Sequence, residues 1–250
     1  MKKIGIIIVF MLFFSAYSKT ITRKPVVREC PVCHFISTYN IDATYKSNIQ
    51  NWPSEYQFIF WPFIDEMYFY CCTNCHFSCY SSDFNNISKK KASEIRDFLY
   101  TFSFDKGTNN YMDISVGSRL EIAGIVYRIL GRNKEFWCHY YRVCAYYNDL
   151  EGQHETAADY RNKAIRTTQS MMNKAKNSGR NKELLIIMAS LYHYTNQTDS
   201  ALICLEKAKP LKRKNWKEKR KTNSIKNEKL NTLITQFEEF IRTKRKDSIN

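Results

Sequence analysis

Cys30-Pro31-Val32-Cys33-His34-Phe35 and Cys72-Thr73-Asn74-Cys75-His76-Phe77 are two copies of one six-residue pattern, and their reading decides the fold of the N-terminal part. A C-x-x-C turn folds two sulfurs onto one side of a tight loop, where backbone amides donate to the thiolates. Two such knuckles from separate hairpins complete a tetrahedron around zinc, with Cys30, Cys33, Cys72 and Cys75 as the ligands. His34 and His76 are then knuckle-surface residues. The same letters also spell C-x-x-C-H, the attachment motif of c-type haem, in which the cysteines form thioethers and His34 and His76 are the proximal iron ligands. A third alternative is a reactive dithiol, whose nucleophilicity requires a helix to begin at the motif.

The residues around the motifs favour zinc. Phe35-Ile36-Ser37-Thr38-Tyr39 follows the first knuckle and reads as strand, as do Tyr56-Gln57-Phe58-Ile59-Phe60-Trp61 and Met67-Tyr68-Phe69-Tyr70. The last delivers Cys72 to the site and sends Cys71 to the opposite face by strand alternation. Phe35 and Phe77 hold the same offset in both copies, which predicts a pseudo-symmetric pair of knuckles. Cys71 and Cys79 are spare in every scheme and either bridge each other or stay packed.

Met1-Lys2-Lys3, the apolar run Ile4 to Phe14 and the small residues of Ser15-Ala16-Tyr17-Ser18 have the form of a secretory signal peptide cleaved after Ser18. This predicts export to a periplasmic or extracellular location; retained as an anchor, the run is the one route to a membrane. Nine cysteines in an exported chain ordinarily suggest disulfides, but the number is odd and the C-x-x-C clustering is not that of a disulfide scaffold. The formal charge is +15, with a dense run from Lys207 to Lys221 opposed only by Glu218. Export argues against a nucleic-acid partner, and Trp216 alone is too little for a base-stacking platform, so the run reads as a solvated connector.

From Ser118 onward apolar residues recur at helical spacing: Leu120, Ala123, Ile125 and Tyr127; then Trp137, Tyr140, Tyr141, Cys144 and Tyr147; then a helix from about Glu155. Met188-Ala189-Ser190-Leu191-Tyr192 with Ala201, Leu205 and Ala208 matches the spacing of a tetratricopeptide repeat, and Ala145, Ala157 and Ala164 repeat part of it upstream. A last helix, Ile225 to Arg242, caps the array. Cys138, Cys144 and Cys204 read as small core residues, and His139, His154 and His193 as surface or packing histidines.

Cys30-Pro31-Val32-Cys33, Trp61-Pro62-Phe63, Cys72-Thr73-Asn74-Cys75, Ser82-Asp83-Phe84 and Tyr127-Arg128-Ile129-Leu130-Gly131 together resemble the uncharacterised bacterial double-CxxC proteins catalogued as domain of unknown function 2225. The resemblance implies a zinc-ribbon-like part fused to tetratricopeptide-like helices, with no established activity. The chain departs from it in carrying histidine where such knuckles often have glycine. The expected architecture is α+β: a signal peptide over 1–18, a zinc-ribbon-like double-CxxC domain over 19–88, a connector over 89–117 and a helical repeat domain over 118–250. The expected function is binding of a protein or peptide partner without catalysis, with structural zinc as cofactor and haem c or thiol redox as the alternatives. Replacing Cys33 or Cys75 with Ser is expected to unfold the N-terminal domain and leave the helices intact.

Overall fold

The computed structural model describes residues 23–42, 66–101, 108–172, 178–212 and 220–247. Strands β1 (Arg23–Glu29) and β2 (Ile36–Asp42) form an antiparallel ribbon in which Val27 faces Thr38 and Glu29 faces Ile36. Alternation along the ribbon turns Val26, Arg28, Ser37 and Tyr39 inward and leaves Val27, Glu29, Ile36 and Thr38 exposed. A 3-10 turn, Glu66–Tyr68, feeds a second ribbon, β3 (Phe69–Cys71) with β4 (Ser78–Tyr80). Each knuckle is the loop of one ribbon. β2 matches the strand expected after the first knuckle, whereas the one expected at Met67–Tyr70 begins as a helical turn. The strand expected at Tyr56–Trp61 and the apolar run of residues 1–18 lie outside the described residues, as does most of the basic run after Lys212.

The remainder is helical, so the chain is α+β with its small β part at the N-terminal end. Helix α1 (Lys89–Leu99) lies in the segment expected to be a connector; Ser88 caps it, and Ala92, Ile95 and Leu99 bury one face at a spacing of three and four. A 3-10 turn at Tyr111–Asp113 leads to α2 (Val116–Leu130), which is capped by Ser115 and ends at Gly131. Gly131 has φ 69°, the left-handed conformation that glycine reaches without steric cost.

Helices α3 (Lys134–Leu150) and α4 (His154–Met172) form a hairpin about a short turn, and α5 (Ser178–His193) and α6 (Thr198–Ala208) form a second. Alanines sit at the buried interfaces: Ala145, Ala157 and Ala164 in the first, Ala189, Ala201 and Ala208 in the second. A missing side chain beyond Cβ allows two helix backbones to approach closely. The long α7 (Arg220–Asp247) covers the second hairpin with Leu230, Leu233, Ile234, Phe237 and Ile241, and runs past both ends of the helix expected there.

Hydrophobic packing does not follow the expected boundary between domains. One buried cluster runs from Cys30 and Val32 through Tyr39, Tyr70, Phe77 and Phe84 to Leu120, Tyr127, Tyr140 and Tyr147, so α1, α2 and α3 complete the core of the ribbons. Two-stranded ribbons have too little apolar surface to be stable alone. The second hairpin and α7 have a core of their own.

Cys138, Cys144 and Cys204 are buried thiols in helices, as expected. His139, on α3, has its pKa pushed down to about 4 by burial and then by the charge of Arg142. The folded state therefore holds a neutral imidazole while the unfolded chain protonates near 6.5. Its contribution to stability is complete above that unfolded pKa and is lost as pH falls from 6.5 toward 4. Unfolding followed against pH should show a loss of about 3 kcal/mol across this window, and His139→Gln should flatten that part of the profile.

Candidate metal centre

The sequence places each cysteine pair in the loop of a two-stranded ribbon, and the backbone closes both loops identically. The Cys30 amide donates to the Phe35 carbonyl at 2.9 Å and the His34 amide to the Cys30 carbonyl at 3.0 Å. In the second knuckle, the Cys72 amide donates to Phe77 at 2.9 Å and the His76 amide to Cys72 at 2.8 Å. Closing the loop this way drives the residue after the second cysteine into the left-handed region, with φ 63° at His34 and 58° at His76. That is the position where glycine is the easy residue, and here each histidine adopts it.

The two loops bring all four sulfurs to one point. Sγ atoms of Cys30, Cys33, Cys72 and Cys75 all lie within 4.8 Å of one another. Cys33 and Cys72 are 3.5 Å apart across the site and Cys30 and Cys75 3.7 Å. A disulfide requires about 2.05 Å. A tetrahedron with Zn–S bonds of about 2.3 Å has edges of about 3.8 Å, which matches both cross-site distances. All nine cysteines are free thiols, so Cys71 and Cys79 do not bridge each other; both are packed in the core outside the four-sulfur cluster.

Four thiols at this distance resist joint ionisation. Hydrogen bonds from the Cys30 and Cys75 thiols, with the Cys75 and Asn74 amides, hold the Cys72 thiol far below its usual range. Facing Cys72, the Cys30 thiol is pushed well up, and Cys75 is pushed up by Cys30 and Cys72 together. Without a cation the four sulfurs thus ionise unevenly, and a dication would favour all four thiolates by attracting their negative charges. Outer hydrogen bonds complete the first knuckle: the Val32 amide donates to Cys30 Sγ at 3.4 Å, and Asn74 Nδ2 reaches across to Cys33 Sγ at 3.5 Å.

Neither His34 nor His76 joins the sulfur cluster. His34 is exposed, with Nδ1 2.6 Å from Glu29 Oε1. His76 is buried, and its carbonyl accepts from the Ser78 hydroxyl at 3.0 Å. The expected pseudo-symmetry of the knuckles holds for the backbone and not for the surroundings of the two phenylalanines. Phe77 is buried against Phe84 with ring centroids 5.6 Å apart, whereas Phe35 is 45% exposed. The knuckles are symmetric in backbone and unequal in environment: His76 and Phe77 lie in the core, whereas His34 and Phe35 at the same positions of the first knuckle face solvent.

Contacts that join the site to the helices were not read from the sequence. Arg96 of α1 donates to the Val32 carbonyl inside the first knuckle at 2.6 Å. Arg119 of α2, almost wholly buried, donates to the carbonyls of Glu66 and Phe69 at 2.9 Å each and lies over the Tyr111 ring. Asp83, just beyond β4, accepts from the Tyr127 hydroxyl at 2.9 Å and pairs with Arg132 at 2.7 Å, while the Tyr80 amide donates to that hydroxyl at 2.8 Å. Asp83 and Tyr127 stand in segments the sequence had singled out, and only the structure reveals that they bind one another. Tyr127→Phe should cost about 1–2 kcal/mol in denaturant unfolding, because the Tyr80 amide and Asp83 lose a shared partner without loss of ring packing.

Among the described residues no helix is long and apolar enough to cross a membrane. No protein-family model matches the chain, and no curated protein or solved structure gives a significant match.

Proposed function

We propose that the chain is an exported, zinc-stabilised interaction module in which Cys30, Cys33, Cys72 and Cys75 hold a structural zinc ion and the helices bind a protein or peptide. The observation that carries the metal is the convergence of four sulfurs at tetrahedral spacing. Four thiolates fill a zinc ion's coordination and leave no position for a substrate water, so the site's role is folding and not catalysis. The geometry speaks for one ion against two haems. A haem attached at each C-x-x-C-H would separate the two pairs by the breadth of the macrocycles, whereas the four sulfurs share one small volume. A dithiol redox role gains no support, because neither motif opens a helix.

Support for partner binding comes from the two helical hairpins, whose buried alanines are in keeping with degenerate tetratricopeptide-type repeats, an architecture that leaves outer helix faces for a partner. Such an architecture also agrees with the resemblance to the double-CxxC proteins of unknown function. The apolar run of residues 4–14 and the small residues up to Ser18 support export.

Elemental analysis of the purified chain, with an absorption spectrum of the same sample, is the test. One zinc per chain and no Soret band are expected. A red protein with a covalent mass increase would establish the haem reading instead, and a metal-free protein with unchanged unfolding would remove the metal altogether.

A further inference from the structure

We propose that Cys33 is a modification site, the point at which a peroxide oxidises the metal centre and converts it from a zinc-held to a disulfide-held joint; this rests on the zinc reading above. Of the nine cysteines, seven are buried and only Cys33 and Cys75 are partly exposed. Every thiol that an oxidant in solution can meet therefore belongs to the metal centre. The two are not equivalent. Cys75 is followed by buried His76 and Phe77, while Cys33 is followed by exposed His34 and Phe35. Cys33 is thus the partly exposed sulfur whose following residues lie open to solvent, and Cys72 Sγ of the other knuckle stands 3.5 Å from it.

The chemistry balances with hydrogen peroxide as oxidant. Cys33 thiolate attacks one peroxide oxygen; an S–O bond forms, the O–O bond breaks, and the departing hydroxide takes a proton to leave as water. Cys72 thiolate then attacks the Cys33 sulfenic sulfur; the S–S bond forms and a second hydroxide leaves, again protonated to water. A second peroxide couples Cys30 to Cys75, which are 3.7 Å apart, by the same two steps. In sum, four zinc-bound thiolates, two peroxides and four protons give two disulfides, four waters and a free zinc ion. Both disulfides cross from one knuckle to the other. Zinc release consequently leaves the ribbons joined, where bonds formed within each knuckle would let them part.

Asn74 moderates the entry step. Its Nδ2 donates to Cys33 Sγ at 3.5 Å and withdraws electron density from the attacking sulfur without being a ligand.

The experiment uses the full chain as purified, its zinc content measured first. Peroxide below one equivalent is added with dimedone to trap sulfenic acid, and a parallel sample without dimedone is followed by a zinc-sensitive chromophore and non-reducing peptide mass mapping. The expected results are a dimedone adduct on Cys33, zinc release in step with a Cys33–Cys72 linked peptide, and release about fivefold faster in Asn74→Ala, which keeps all four ligands. A first adduct on Cys75, disulfides joining Cys30 to Cys33 or Cys72 to Cys75, or zinc retained under excess peroxide would each overturn the proposal. Absence of zinc before peroxide is added would instead overturn the metal reading on which it stands.

Discussion

Cys72→Ser should abolish stoichiometric zinc binding and unfold the N-terminal half of the chain as far as α3. Cys72 is fully buried, and its sulfur stands 3.5 Å from that of Cys33 across the site. A hydroxyl there supplies no thiolate, and three ligands leave the two ribbons held only by packing. Structural zinc contributes about 10–16 kcal/mol to folding in isolated finger peptides. A share of that size is comparable to the ~5–15 kcal/mol by which whole domains are stable. The extent of the damage follows from the continuous core: Phe77 and Phe84 stand beside the site, and Tyr127, Tyr140 and Tyr147 pack into the same cluster from α2 and α3. The sequence alone led to the expectation of intact helices after such a change. With this core, only α5, α6 and α7, which share a separate cluster, should keep full protection in hydrogen exchange, while α1 to α3 lose theirs. Undiminished zinc content with unaltered exchange in α2 would contradict both the metal and the coupling.

Arg119→Ala is the second large effect, expected at about 3–4 kcal/mol in stability and about 10 °C in Tm. Its guanidinium ties the Glu66 and Phe69 carbonyls, the turn and strand that present Cys71 and Cys72, to the start of α2. Truncation leaves two carbonyls without their charged donor and a cavity beside Tyr111. Burial lowers the guanidinium's pKa, and the Glu66 carboxylate is among the groups that oppose this. Arg119→Lys should recover only part of the loss, because one ammonium on a shorter stem does not reach both carbonyls with the same planar fork. Equal stability of the Lys and wild-type chains, measured by thermal unfolding, would show that charge alone accounts for the contact. Arg119→Ala should also weaken zinc retention against a chelator, an effect that damage remote from the site would not produce.

The four ligands were legible in the sequence because C-x-x-C is a local instruction: two residues between cysteines suffice to turn both sulfurs to one side, wherever the rest of the chain goes. Strand β2 was legible from its composition, and the helix pairs from apolar spacing and their alanines. What was hidden depends on partners distant in the chain. Arg23–Glu29 carries Pro25 and four charges, so nothing marks it as strand until β2 lies beside it. Lys89–Leu99 begins with three lysines and reads as solvated, yet its Ala92, Ile95 and Leu99 find a surface made by the first knuckle and α2. The equal offset of Phe35 and Phe77 suggested equal surroundings, and sequence symmetry has no knowledge of which of the two rings the core takes in. The domain boundary was drawn where composition changes, but aromatic side chains on either side of it pack together.

That shared core also has a consequence for the chain as it is made. Cys75 leaves the ribosome about 70 residues before Tyr147, roughly 4–14 s at ordinary rates of synthesis. During that interval the knuckles exist without the helices that shelter their thiols. Metal captured early would guard the sulfurs before the protein can do so itself, and the order in which zinc and oxidant arrive would then decide which of the two joints the finished molecule inherits.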